Sequence, residues 1–157
     1  MTYGTAEKFN HMTILEGGSG QHAGKIGEMC FAQWLMINDI PNSWSACNKG
    51  PIDFSVMADG RWIGIDVKAK ERNVPPNWDH DAHVTLDQEH YACDIYVFCN
   101  VTDDYPTLMG WMGKERFWRN CKRVKKGDTD GQFREHVDAG KLRYSQLKPM
   151  KQLLEFL

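Results

Sequence analysis

A chain of 157 residues can bury one hydrophobic core without disulfide or metal staples but is too short for two full cores. Hydrophobic residues at 41% and charged residues at 25% match ordinary globular usage, which excludes a disordered chain and a membrane-embedded one. The formal net charge of -2 is uninformative as a total, but from Lys114 to Lys126 the sequence KERFWRNCKRVKK sets seven cations against one acid, so the rest of the chain is acidic.

The opening stretch ends in EGGSGQ, whose glycines and serine read as a flexible entry to a helix. It lacks the basic, apolar and small-residue regions of a secretory signal, and no apolar run approaches the roughly 20 residues of a membrane span; a cytoplasmic chain with no membrane partner is expected. From about His22 to Asn38 the stripe Ile26, Cys30, Trp34 and Ile37 has helical spacing, with Phe31 and Leu35 adding a second apolar side. Pro41 and Asn42 stop that helix, Trp44 to Cys47 suggests a short strand, and Asn48, Lys49, Gly50 and Pro51 suggest a turn.

Phe54 to Ala58 and Arg61 to Lys70 then flank Asp59-Gly60, a dipeptide suited to a type I′ turn, and predict a β-hairpin. The polar, proline-paired residues 71 to 85 predict an exposed loop that holds Trp78, His80 and His83. Leu86 to Ala92 suggests a short helix, Asp94 to Asn100 a buried strand, and Leu108 to Met112 a further strand. A basic helix is expected over Lys114 to Cys121 and a surface loop over Lys122 to Gln132. Phe133 to Val137 and Lys141 to Ser145 suggest a second hairpin, and Pro149 the first turn of a terminal helix. Trp34, Trp44 and Trp62 read as packing residues. The five cysteines, 30, 47, 93, 99 and 121, are odd in number and scattered without a C-x-x-C pair, so reduced, mostly buried thiols are expected.

Chemistry concentrates in the strand WIGIDVKAK. Period-two geometry sets Asp66, Lys68 and Lys70 on one face and Ile63, Ile65, Val67 and Ala69 on the other, so burial of the apolar row fixes the charged row. Asp53 opens the partner strand and is expected across from Asp66. Two such carboxylates repel one another unless a divalent cation rewards their ionisation, and hard oxygen donors suit magnesium or manganese. Glu28, in GKIGEMCF, offers a third carboxylate from the first helix, where Gly24 and Gly27 would permit close approach to a sheet. Lys68 would add a positive donor where charge develops on a scissile phosphate.

Glu28 on the first helix, Gly50-Pro51-Ile52-Asp53 and Asp66-Val67-Lys68 together resemble the PD-(D/E)XK nuclease superfamily, with P-x-D and D-x-K variants of its motif. The expected order of elements over about residues 22 to 112 is also similar. The resemblance implies one α/β nuclease domain over residues 1 to 157. Its restriction-endonuclease-like core would be a central mixed β-sheet flanked by helices, with the basic segment and terminal hairpin and helix added from 113 to 157. It further implies Mg2+, replaceable by Mn2+, held by Glu28, Asp53, Asp66 and the Val67 carbonyl, with Lys68 acting on water or phosphate. Gln88 or Tyr91 is expected in the family's auxiliary polar position, and Lys70 is a possible further phosphate contact.

The implied reaction is endonucleolytic hydrolysis of duplex DNA to 5′-phosphate and 3′-hydroxyl ends, as in small phage or homing endonucleases. A Holliday-junction or other branched-DNA resolvase is the alternative within that chemistry, and a non-cleaving DNA-binding module the alternative outside it. Lys122, Arg123, Lys125 and Lys126 are the expected phosphate contacts. A homodimer would let one active site per chain cut both strands.

Overall fold

The computed structural model describes residues 19–44 and 52–157. Its first element is helix α1 (Ser19–Ile37). Ala23, Ile26, Met29, Cys30, Phe31, Trp34 and Leu35 bury one broad side of it. The helix closes before Pro41: Asp39 turns left-handed at φ 55°, and the Ile40 amide donates back to the Leu35 carbonyl at 2.9 Å.

Five strands form a mixed sheet in the order β1 (Asn42–Trp44), β2 (Phe54–Ala58), β3 (Arg61–Glu71), β5 (Ile95–Thr102) and β6 (Tyr105–Gly113). β3 and β5 are parallel and the other neighbours antiparallel. The β2–β3 hairpin turns at Asp59 and Gly60, both left-handed at φ 48° and 75° as a type I′ turn demands. β1 falls at Asn42–Trp44, ahead of the expected Trp44 to Cys47; residues 45 to 51, with Cys47 and the Gly50-Pro51 part of the motif, lie outside the described residues.

The β3–β5 crossover departs from expectation. Residues 81 to 85 are not loop but strand β4 (Asp81–Thr85), and the helix expected over Leu86 to Ala92 is only one 3₁₀ turn, Leu86–Gln88. The alternation of Ala82 and Val84 with Asp81, His83 and Thr85 was a strand pattern that the flanking prolines and polar residues concealed. His83 is therefore a half-buried strand residue, and His80 is half-buried too. Burial and the cations Lys70 and Lys141 lower the His83 pKa below its ordinary value.

Helix α2 (Lys114–Asn120) leads into β7 (Lys122–Val124), within the segment expected as loop. No hairpin joins Phe133 to Ser145. Instead β8 (Thr129–Asp130) pairs with β9 (Phe133–Arg134), and β10 (Ala139–Arg143) lies between β4 and β7 in a second sheet, where its apolar residues Ala139 and Leu142 are buried. Helix α3 (Met150–Phe156) ends the chain, with Pro149 immediately before it.

The five-stranded sheet is covered on both faces. Ile63, Ile65, Val67, Ile95 and Val97 pack against α1 and Leu153 of α3. On the opposite face Tyr96 and Phe98 pack with Ala82 and Val84 of β4, Leu142 of β10, and Phe117 and Trp118 of α2. Trp34 is buried and Trp44 stacks on Phe54, but Trp62, one residue from the hairpin turn, is 61% exposed rather than packed. Among the described residues Cys30, Cys93, Cys99 and Cys121 are free thiols, the first three buried. No helix among them is long and apolar enough to cross a membrane.

Candidate metal and catalytic centre

The centre lies where β2 stops and β3 continues. The pairing Phe54–Ile65 places Asp53 beside Asp66, and the Asp53 amide donates to the Ile65 carbonyl at 3.0 Å. One residue further on, the Val67 amide donates not to another strand carbonyl but to Asp53 Oδ2 at 2.8 Å. The carboxylate thus takes the place of the missing strand and is fixed against β3.

Asp53 stands within electrostatic reach of two other carboxylates, Asp66 and Glu28. Burial first, then the hydrogen-bonded Asp66 carboxyl, then the charges of Asp66 and Glu28, push the Asp53 pKa up to about 8, while the Val67 amide pulls it down. Asp66 is 7% exposed on the face of β3 that carries Lys68. Glu28 arrives from α1, and the Trp44 indole donates to its Oε1 at 3.3 Å.

Close helix-to-sheet contact permits that arrival. A Cβ at Gly27 would lie 2.9 Å from the Ala69 Cβ and 3.5 Å from Val67 Cγ1, so only glycine lets α1 sit this near β3. Gly24 has nothing within 4 Å of the same position and plays no such part.

Lys68 is the cation of the group. Its Nζ lies 2.6 Å from Asp66 Oδ2, hydrogen-bonds Gln88 Oε1, and sits 5.8 Å from the centre of the Tyr96 ring. Of the two residues expected in the auxiliary position, Gln88 is brought against Lys68, whereas Tyr91 offers its carbonyl to Lys114. Glu89, next to Gln88, receives both arms of the Arg123 guanidinium at 2.7 and 3.1 Å, which ties the 3₁₀ turn to β7.

Arg123, expected on DNA, therefore has a protein partner, and its guanidinium also lies over Trp118. Lys122, Lys125 and Lys126 are exposed. Lys70 is exposed two residues beyond Lys68, makes no ion pair among the described residues, and lines a cavity of about 330 Å³ with His83 and Phe133.

Trp44 and Tyr96 are contributors that sequence reasoning missed. Tyr96 had a signal: the parallel register pairs Asp66 with Tyr96 and Lys68 with Phe98, so alternate residues of β5 must face the charged row. Trp44 had none, because its partner Glu28 is on another element.

Among the described residues no three His, Cys, Asp or Glu side chains stand grouped so as to hold a metal ion. Asp53 faces the Val67 amide, Asp66 faces Lys68, and Glu28 faces Trp44. The donor chemistry nevertheless fits a hard divalent cation: Lys68 offsets only part of the charge of the three acids, all donors are oxygens, and the site is partly buried. No family model, curated protein or solved structure matches the chain.

Proposed function

We propose that this chain is a magnesium-dependent DNA endonuclease with a restriction-endonuclease-like core. The observation that carries the reading is that Asp53 stands within electrostatic reach of both Asp66 and Glu28, with Lys68 against Asp66. Such crowding costs folding free energy in a purely structural role, and it suits a site where a dication offsets the charge.

Glu28, Asp53, Asp66 and the Val67 carbonyl would hold Mg2+ or Mn2+. When bound, the ion would supply a lowered water pKa and charge neutralisation at phosphorus. In that role Asp66 would give up part of its contact with Lys68, whose ammonium would then be free to turn toward a phosphate oxygen. Gln88 keeps the ammonium aimed across the notch, and Tyr96 supports it from below. Water attack on phosphorus then breaks the P–O3′ bond and leaves a 5′-phosphate and a 3′-hydroxyl.

Supercoiled plasmid, linear duplex, single strand and a four-way junction, each incubated with and without Mg2+, test this directly. The wild-type chain should cut DNA only with the metal, while Asp66→Ala binds DNA without cutting it and Lys68→Ala binds DNA but cuts it far more slowly. Binding with no cleavage under any divalent ion would replace the enzyme with a DNA-binding module, and wild-type turnover in either variant would reject the site.

A further inference from the structure

We propose that the depression beside the start of β5 carries the phosphate backbone of the nucleic acid, an inference that rests on the nuclease reading above. It has a volume of about 580 Å³, and its lining includes Arg61, Lys114, Arg116, Arg119 and Lys148. Asp94 and Glu115 are the acids there, so three positive charges remain in surplus on a chain whose formal net charge is -2. Asp94 is already committed: its Oδ2 accepts from the Gly64 amide at 2.8 Å and its own amide donates to the Gly64 carbonyl at 2.7 Å, locking β5 to β3.

Lys114 donates to the Tyr91 carbonyl, but the other cations are not similarly engaged. Among the described residues the guanidinium groups of Arg61, Arg116 and Arg119 make no hydrogen bond or ion pair, and all three residues are exposed. The Lys148 ammonium rests on the Trp111 ring at 4.9 Å, which leaves it open to an anion. Arg116 and Arg119 are three apart on α2 and so present neighbouring side chains. The five cations come from β3, α2 and the segment before α3. Spread in this way, they match a polyanion that passes over the surface rather than one phosphate enclosed by converging donors.

Position links the depression to the proposed centre. Cys93 lines it and lies within electrostatic reach of Asp66 and Lys68 as well as Lys114. Gly64, bonded to Asp94, is two residues from Asp66 on the same strand. A strand whose phosphate lay at Lys68 would meet Lys114 next and the α2 arginines beyond.

The alternative basic half-strip is weaker ground. Arg123 is bound to Glu89, and the amides of Lys125 and Lys126 are held by Asp128 and Asp138, whose carboxylates lie among those lysines.

The test is the salt dependence of duplex DNA binding, measured by fluorescence anisotropy in an Asp66→Ala background so that the DNA stays whole. Each lost phosphate contact lowers the slope of log affinity against log salt by about 0.9. Arg61→Ala/Arg116→Ala/Arg119→Ala should lower it by roughly 2 to 3, Arg116→Lys/Arg119→Lys should keep it, and Lys125→Ala/Lys126→Ala should leave it unchanged. A parent chain that binds DNA with the same slope as the triple alanine variant overturns this surface and leaves the nuclease reading intact. Equal loss in the lysine and alanine variants also overturns it, since charge is then not what acts. A wild-type chain that neither binds nor cuts DNA overturns both inferences.

Discussion

Asp53 is the residue on which the electrostatics of the notch turn. Its folded pKa, about 8, stands above the ordinary value of 3.8, so the stabilising contribution of its neutral form is complete below about 3.8 and lost as pH rises through 8. Metal-free protein should therefore melt lower at pH 9 than at pH 6 on this account, and Asp53→Asn should flatten that difference in thermal denaturation. Because a cation favours the ionised carboxyl, Mg2+ binding at pH 7 should release close to one proton, read from calorimetry in buffers of different ionisation enthalpy. A binding enthalpy independent of buffer would contradict this. Lys68 belongs to the same scale: Lys68→Ala should reduce cleavage by about 10²- to 10³-fold with DNA affinity little changed, and Gln88→Ala should cost less, since Asp66 and Tyr96 still hold the ammonium. Single-turnover cleavage separates these effects from binding.

Between elements, the decisive contact is α1 on β3. Gly27→Ala places a methyl 2.9 Å from the Ala69 Cβ, and neither backbone can yield cheaply. Denaturant titration should show a loss of about 1–3 kcal/mol, together with impaired metal binding as Glu28 is lifted from the notch. Unchanged stability would mean that the helix does not sit this close. Much of this level was legible in the sequence. The helix announced itself through Ile26, Cys30 and Trp34, the hairpin through Asp59-Gly60, and the charged row through strict alternation around Asp66 and Lys68. The β4 strand and its 3₁₀ turn were not legible, because β4 is stabilised by pairing with β10, more than fifty residues later, and local propensity contains no trace of that partner. The sequence offers Gln88 or Tyr91 beside Lys68, and what sets Gln88 there, the Glu89–Arg123 pair next to it, depends on the same distant sheet.

At the scale of the molecule, one face of the central sheet is closed by a helix layer and the other by the second sheet, which leaves the notch between β2 and β5 beside α1. Lys141 of β10 ties that second sheet together: it bonds the buried Glu135 and lies 3.7 Å from Asp81 of β4. Lys141→Ala strands Glu135 without a counter-charge and should destabilise the fold by about 3–5 kcal/mol, whereas Lys141→Met with Glu135→Leu should recover most of that loss in chemical denaturation. Distribution of charge could be read only in part from the sequence. The strip from Lys114 to Lys126 was evident, but the fold divides it, sending Arg116 and Arg119 to one surface and Arg123 to Glu89. The claim beneath all of this is that Glu28, Asp53 and Asp66 serve one divalent-ion centre. Mn2+ titration followed by electron paramagnetic resonance measures it most directly: the account predicts saturable binding that Glu28→Gln, Asp53→Asn and Asp66→Asn each weaken strongly, while Asp81→Asn does not. Equal Mn2+ affinity in the wild type and those three variants would contradict it.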